Sequence, residues 1–223
     1  MIKHLDHMTW PSSAASLIMN AIKDKCLKDA SCTVMLTGGR SAQLLYQAWA
    51  ELADFEQMRN VHFYFGDERC VHPDHPESNF GMVMRTLFYQ GVPKGCSVNR
   101  IEAEHSDLNL AALSYEQQLP VRIDILLLSV GEDGHIASLF PESYALNEVH
   151  RYVVPVWATK FPHDRLTVTP PLILEAGQIF VMAIGPAKAA VFRQALQQPQ
   201  LISTSPARLV LHGTWILDSL LTD

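Results

Sequence analysis

Apolar positions along the chain follow two spacings, which predict two kinds of secondary structure. From Ala14 onwards, apolar side chains recur at i, i+3, i+4, i+7 and i+8, which predicts an amphipathic helix over residues 11–29. Residues 123–130, "IDILLLSV", are instead apolar at nearly every position, as expected of a central parallel strand that is covered on both faces. Helical and strand-like segments then alternate along most of the sequence.

The remaining elements follow from the same pattern and from the breaks in it. Short apolar runs predict strands at 32–37, 61–66, 151–157, 165–169, 178–184 and 207–213. Helical spacing predicts helices after Gly39, over 78–90 and 107–119, from Pro186, and from residue 214 to the C-terminus. Residues 197–206 are predicted to form a loop. Because Pro155 lacks an N–H group, we expect the strand 151–157 at a sheet edge.

This alternation predicts an α/β fold with one doubly wound, mainly parallel sheet and helices on both faces, in a Rossmann-like arrangement. No repeat, low-complexity tract or linker divides the chain, so we expect a single domain over residues 1–223. Ligands of such folds bind beyond the carboxyl ends of the strands. Three polar loops are expected there, at 37–41, 66–79 and 131–135.

Composition narrows the class of protein. Of the 223 residues, 48% are apolar and 18% are charged, which is typical of a folded globular chain. The formal net charge is −6 and no block of Lys or Arg occurs, which argues against a nucleic-acid-binding protein. An anionic ligand would therefore have to be attracted by a few local cations rather than by the overall field.

Targeting features point to the cytoplasm. No apolar run approaches the roughly 18–20 residues of a membrane span, and the N-terminal "MIKHLDHMTW" lacks the apolar segment of a signal peptide. The four cysteines (Cys26, Cys32, Cys70 and Cys96) show no C-x-x-C spacing, which predicts reduced thiols. We expect a soluble cytoplasmic protein without a membrane partner; the oligomeric state does not follow from the sequence.

The loop 131–135, "GEDGH", is the strongest candidate for chemistry. His135 can exchange a proton near neutral pH, and Asp133 lies close enough in sequence to orient it or to stabilise its charged form. Ser129 does not belong to a G-x-S-x-G nucleophile elbow because position 127 is Leu, which favours water over a serine nucleophile. The alternative is an ordinary histidine in a glycine turn.

Two further loops offer binding groups for an anion. Gly38 and Gly39 end a strand and, with Arg40 and Ser41, begin a helix whose N-terminal N–H groups suit a phosphate. This segment fits neither a Walker A loop nor G-x-G-x-x-G, so a plain strand-to-helix turn is an equal alternative.

The loop 66–79 contains Asp67 and Arg69, and the guanidinium suits phosphate or carboxylate. His72 and His75 suggest a metal, but Pro73 and Pro76 disrupt a helical ligand pair. We therefore predict no metal site.

Two more cations stand near strand ends. Arg165 opens a predicted strand, and Lys188 lies in the first turn of a predicted helix, where a cation is unfavourable to the helix dipole. A bound anion would offset that cost. An exposed surface lysine is the other interpretation of Lys188.

The motifs resemble, in order and spacing, the family of 6-phosphogluconolactonases. They are "GGRSAQLLY", "FYFGDERCVHPDHPESNFGM", "VGEDGHIASLFP", "RLTVTPPLI" and "GPAKAAVF", and the match runs from about residue 34 to 195. The resemblance implies the sugar-phosphate isomerase type of fold and no required cofactor. It also implies hydrolysis of 6-phospho-D-glucono-1,5-lactone to 6-phospho-D-gluconate in the oxidative branch of the pentose phosphate pathway.

The resemblance also implies roles for individual residues. His135 would be the general base that activates water, and Asp133 would stabilise its imidazolium form. Gly39, Arg69, Arg165 and Lys188 would hold the substrate, mainly its phosphate. The candidate substrate-binding set is completed by the neighbouring loop residues Gly38, Arg40, Ser41 and Asp67.

Two other functions remain open. Glucosamine-6-phosphate deaminases resemble this chain but continue the G-x-D-G-H-I-A motif with "FNEP", whose acid helps ring opening, whereas this chain has "SLFP". Where this chain has "GDER", the deaminases have a segment that resembles "MDEY". A non-catalytic sugar-phosphate sensor of the same fold would often include a DNA-binding helix pair, and no residues are left over for one.

Overall fold

The computed structural model describes residues 1–197 and 201–218. Its helices are α1 (Trp10–Asp29), α2 (Arg40–Ala50), α3 (Asn79–Thr86), α4 (Leu108–Gln118), α5 (Pro170–Glu175) and α6 (Pro186–Gln197). Its strands are β1 (Ile2–Leu5), β2 (Cys32–Leu36), β3 (Val61–Phe65), β4 (Asp67–Arg69), β5 (Ser97–Val98), β6 (Ile125–Ser129), β7 (Val153–Trp157), β8 (Asp164–Val168), β9 (Gln178–Ala183) and β10 (Thr214–Asp218). Short 3-10 helices cover Phe55–Gln57, Tyr144–Asn147 and Pro206–Val210.

Seven strands form a parallel sheet in the order β1-β10-β9-β6-β2-β3-β5. From β2 the chain moves outward to β3 and β5, and it then returns to β6 and continues on the other side through β9 and β10. The direction of winding therefore reverses between the neighbouring strands β2 and β6, where α/β sheets bind ligands. The α/β fold with a mainly parallel sheet flanked by helices is confirmed.

The predicted strands at 151–157 and 165–169 form a second sheet rather than an extension of the first. β7 and β8 pair antiparallel, and the short strand β4 joins them in the order β4-β8-β7. The edge position that Pro155 predicted for its strand is confirmed, because β7 is an outer strand. Val168 N–H donates to Gly66 O at 2.8 Å, which ties this small sheet to the turn after β3.

The C-terminal prediction was wrong in two places. The stretch 207–213 was predicted as a strand, but Pro206–Val210 is a 3-10 helix. The following stretch, predicted as a helix, contains β10, which pairs with β1 on one side and β9 on the other. Both stretches are short and apolar, so spacing alone does not separate them. The end of that predicted helix and part of the predicted loop 197–206 lie outside the described residues.

One cluster of buried apolar side chains joins the helices to the large sheet. α1 buries Ala14, Ile18 and Ile22 on one face, as its spacing predicts, while β6 is buried at Ile125–Leu128. The single domain over 1–223 stays a prediction. No helix in the described part of the chain is long and apolar enough to cross a membrane.

Candidate active site

A cleft of about 370 Å³ lies at the carboxyl edge of the large sheet, at the point where the winding reverses. Its walls come from the segments after β2, β3, β6 and β9 and from the small sheet. Eight of the predicted site residues line it: Gly38, Gly39, Arg40, Asp67, Arg69, His135, Arg165 and Lys188. Two are not among its lining residues. Ser41 is buried in the first turn of α2, and Asp133 stands behind His135.

The glycine turn after β6 places His135 in the cleft. Gly131 N–H donates to His135 O at 2.8 Å, and Gly134 takes a φ of 83°, so the backbone folds back on itself. The imidazole lies over Gly131, where an added Cβ would come within 2.1 Å of His135 Cε1. Glycine at position 131 is therefore needed for this ring position.

Asp133 orients the ring. Its Oδ1 accepts a hydrogen bond from Nδ1 of His135, which leaves Nε2 with a free lone pair in the neutral ring. Burial raises the pKa of Asp133, but the hydrogen bond and charge of His135, together with Lys160, outweigh burial and hold the pKa below its usual range. Asp133 is therefore a carboxylate, suited to stabilise an imidazolium.

The small sheet places two arginines side by side. Arg69 on β4 and Arg165 on β8 are directly opposed across the antiparallel pair. Burial, followed by the charge of Arg69, lowers the pKa of the Arg165 guanidinium. Opposed like charges are unfavourable in a sheet, so this geometry suits a bound anion.

The contacts of the two guanidinium groups leave donors for a ligand. Arg165 donates from Nε to Pro162 O at 3.0 Å, and Arg69 donates from Nη1 to Glu77 O at 2.8 Å. The Nε of Arg69 is buried and has no hydrogen-bond partner among the described residues.

Buried acids fix the segment that carries Arg69. Glu68 accepts hydrogen bonds from the backbone N–H groups of Arg69, Asn79 and Phe80 and so anchors the start of α3. Burial raises the pKa of Glu68 despite these donors. Asp67 accepts from Ser138 Oγ at 2.7 Å, which links this segment to the one after His135.

The Gly38 position is sterically required. A Cβ there would lie 2.0 Å from Oδ1 of Asn79, whose amide also donates to Asp67 O at 3.0 Å. Asn79 thus packs the glycine loop after β2 against the loop after β3. Gly39 takes a φ of 95° and leads into α2, whose first N–H groups have no partners within the helix.

Lys188 enters the cleft from α6. Its ammonium donates to Ser129 Oγ at 3.2 Å. Burial lowers the pKa of Lys188; Glu132 opposes this, while Arg40 and Lys160 lower it further. The turn before α6 is held by Gly185 N–H, which donates to the buried Asp218 at 3.0 Å. Lys188 is therefore a partly buried cation in the cleft, not an exposed surface lysine.

Several cleft residues were not among the predicted site residues, although some lie in the predicted loops. They are Thr37, Ser129, Val130, Gly131, Glu132, Ala137 and Lys160. Lys160 stands five residues before Arg165 in the sequence, so its proximity along the chain to a candidate cation was predictable. Ser129 was considered only as a nucleophile, and its contact with Lys188 depends on the pairing of β6 with β9.

The histidines of the loop 66–79 do not form a metal cluster. His72 is largely exposed and lies 3.4 Å from Asp74. Among residues 1–197 and 201–218, no group of three or more His, Cys, Asp or Glu side chains is arranged to hold a metal ion. The prediction of a metal-free site stays a prediction.

Known proteins are similar to this chain in sequence and in fold. Residues 6–217 match a family described as glucosamine-6-phosphate isomerases/6-phosphogluconolactonase. The chain is 30% identical to a 6-phosphogluconolactonase of Streptomyces coelicolor, over 98% of this chain and 92% of the relative. It is 32% identical to a 6-phosphogluconolactonase of Pseudomonas putida, over 93% of this chain and 87% of the relative. A 6-phosphogluconolactonase structure from Shewanella baltica OS155 shares the fold, with a TM-score of 0.86 at 24% identity. The match covers 98% of this chain and 96% of that one.

Proposed function

Because the chain belongs to the family of glucosamine-6-phosphate isomerases and 6-phosphogluconolactonases, we propose that it hydrolyses 6-phospho-D-glucono-1,5-lactone to 6-phospho-D-gluconate with His135 as the general base. The observation that supports this most is the Asp133–His135 pair at a cleft lined by five cationic side chains. The reaction serves the oxidative branch of the pentose phosphate pathway.

The charge of the cleft suits a phosphorylated substrate. Its cationic lining residues are Arg40, Arg69, Lys160, Arg165 and Lys188, whereas its acidic ones are Asp67 and Glu132. The chain as a whole has a formal net charge of −6, so the positive charge is concentrated at this site. A phosphate group is the part of the substrate that such a surface attracts most strongly.

The base acts through Nε2 of His135. Since Asp133 holds Nδ1 and His135 lines the cleft, Nε2 is left to accept a proton from a water that attacks C1 of the lactone. A tetrahedral intermediate forms with its negative charge on the former carbonyl oxygen. The imidazolium then returns the proton to the ring oxygen as the C1–O bond breaks, and the product is a carboxylic acid that ionises.

The negative oxygen of the intermediate needs hydrogen-bond donors. The N–H groups at the start of α2, next to Gly38 and Gly39, lie on the same cleft as His135. They are fixed before substrate arrives because Asn79 packs against Gly38 and Tyr46 Oη accepts from Thr37 N–H at 2.9 Å. We propose these groups as the oxyanion donors.

One contact favours the lactonase over the deaminase. In the deaminase motif an acid stands at the position that Phe140 occupies here. The centroid of the Phe140 ring lies 4.6 Å from that of the His135 ring, with 35° between the two planes. The same centroid lies 5.8 Å from Cζ of the Arg165 guanidinium. An aromatic ring in that place supplies no proton for opening an amino sugar, whereas lactone hydrolysis does not need one from there.

The proposed compartment is the cytoplasm. All four cysteines are free thiols in the structure, and burial raises the pKa of the Cys32 and Cys70 thiols. Free thiols of this kind persist in a reducing compartment.

A direct assay tests the proposed function. Purified protein is mixed with freshly generated 6-phosphogluconolactone, and acid release is followed with a pH indicator above the uncatalysed rate. The same protein is offered glucosamine 6-phosphate, and ammonia is measured. We expect rapid acid release and no ammonia. Ammonia release without lactone hydrolysis would replace the lactonase by the deaminase, and neither activity would favour the sensor.

A further inference from the structure

Lys160 lies on a loop whose backbone is held in place. The loop joins β7 to β8, and Ala158 N–H donates to His163 O at 2.7 Å across its base. The buried Arg165 donates to two carbonyls of the loop, to Pro162 O at 3.0 Å and to Lys160 O at 3.4 Å. The position of the Lys160 backbone is therefore fixed by a cation of the cleft itself.

The side chain of Lys160 is far less constrained than its backbone. It is 58% exposed, and its ammonium lies 3.6 Å from Oδ2 of Asp133, the oxygen that His135 does not use. An ion pair this exposed contributes little, because water competes for both charges. The ammonium can therefore exchange Asp133 for an anion that binds it more strongly.

A second observation shows where that anion would lie. Lys160 shares the cleft with Lys188 and Arg40. The charges of Arg40 and Lys160 lower the pKa of Lys188, after the larger effect of burial and against the attraction of Glu132. Three cations thus face one region in mutual repulsion, and a phosphate dianion placed among them would relieve it.

We propose that Lys160 is a specificity-determining residue whose ammonium leaves Asp133 to bind the phosphate of the substrate, alongside Lys188 and Arg40. The inference rests on the proposed function and extends it to a residue on the small sheet. Binding then leaves Asp133 paired with His135 alone while substrate is bound.

The test compares Lys160→Met with wild type on two substrates, 6-phosphogluconolactone and unphosphorylated glucono-1,5-lactone. For the phosphorylated lactone we expect kcat/KM to fall about 10-fold, mainly through KM, as the loss of one charge-assisted hydrogen bond predicts. For the plain lactone we expect less than a 2-fold change. Lys160→Arg should recover most of the loss.

The matched control is Lys94→Met. Lys94 is an exposed lysine that precedes β5, an outer strand of the large sheet, and it does not line the cleft. This variant should leave kcat/KM unchanged on both lactones. Equal losses on both lactones in Lys160→Met would show that Lys160 acts through Asp133 or the fold, and no loss on either would show that it is not used. Both results overturn the inference.

A binding measurement separates this inference from the proposed function. Inorganic phosphate is titrated into wild type and Lys160→Met by calorimetry. We expect the Kd of the variant to be several-fold higher, and equal Kd values would contradict a phosphate contact. A wild type that hydrolyses neither lactone would overturn the proposed function, and the titration would still decide whether Lys160 binds phosphate.

Discussion

The two sheets contribute different things to one cleft. The large parallel sheet presents the groups proposed for the reaction, His135 and Asp133, on a single five-residue turn after β6. The small antiparallel sheet presents charge: Arg69 and Arg165 on opposed strands, and Lys160 on the loop between β7 and β8. The proposed base and its orienting acid are neighbours in the sequence, whereas the cations proposed to bind the anion come from distant segments.

This difference has a physical basis. A base and its orienting carboxylate must keep a hydrogen bond, and two residues of one tight turn do so with little dependence on the rest of the molecule. Several cations cannot be neighbours in one turn without strong repulsion. They are placed instead on separate rigid elements, which hold them together against that repulsion until an anion arrives. The comparison predicts that chemistry and phosphate recognition can be removed separately.

The largest effect is expected from His135→Asn. Loss of a general base typically lowers kcat by ~10²–10⁴-fold. The fold should persist because the ring lies against Gly131 and Phe140 at the cleft and is not part of the buried core. Steady-state kinetics and circular dichroism test both points. His72→Asn, which changes an exposed histidine of a neighbouring loop, is the control, and near-normal turnover in folded His135→Asn would move the base elsewhere.

A smaller, substrate-dependent effect is expected from Lys188→Ala. One charge-assisted hydrogen bond is worth ~1.5–3 kcal/mol, so kcat/KM on the phosphorylated lactone should fall roughly 10–100-fold. Hydrolysis of plain gluconolactone should hardly change. Comparable losses on both lactones would assign Lys188 to the chemistry at C1 or to the fold.

Arg165→Ala should likewise lower kcat/KM mainly on the phosphorylated lactone, with one difference. Because Arg165 also holds the backbone of Lys160 and Pro162, its removal disturbs a second proposed phosphate contact. We therefore expect its loss to equal or exceed that of Lys188→Ala on the phosphorylated lactone. A loss smaller than that of Lys160→Met would contradict the role of Arg165 in holding the loop.

Anion binding without turnover should appear as a modest gain in stability. Inorganic phosphate at ten times its Kd would stabilise the folded protein by ~1.4 kcal/mol, which corresponds to about 3–6 °C in Tm for a chain of this size. His135→Asn should keep this gain, whereas Arg165→Ala should lose most of it. Thermal unfolding with and without phosphate measures it, and an equal gain in both variants would place the anion away from the opposed arginines.

The smallest effect is expected from metal removal. A lactone carbonyl can be attacked by water that His135 activates, so dialysis against a strong chelator should leave kcat/KM unchanged. Activity that disappears and returns with Zn²⁺ would contradict this. It would make His72 and His75 the first residues to substitute.

Local sequence determined much of this protein. Most helices and the central strands were predictable because apolar spacing reflects which faces are buried, and β6 and α1 lie where that spacing predicts them. The glycine turn with Asp133 and His135 was predictable for a similar reason. Its conformation and its hydrogen bond depend on residues at most a few positions apart.

Only the tertiary structure decided the rest. β10 pairs with β1 and β9, whereas 207–213 stays outside the sheet, although both stretches bury apolar side chains. Local spacing therefore does not decide which of the two becomes the strand. The opposition of Arg69 and Arg165 depends on the register of β4 with β8, and the approach of Lys160 to Asp133 depends on the loop that β8 supports. Strand pairing is set by burial and connectivity over the whole chain, so contacts between distant segments appear only once the chain has folded.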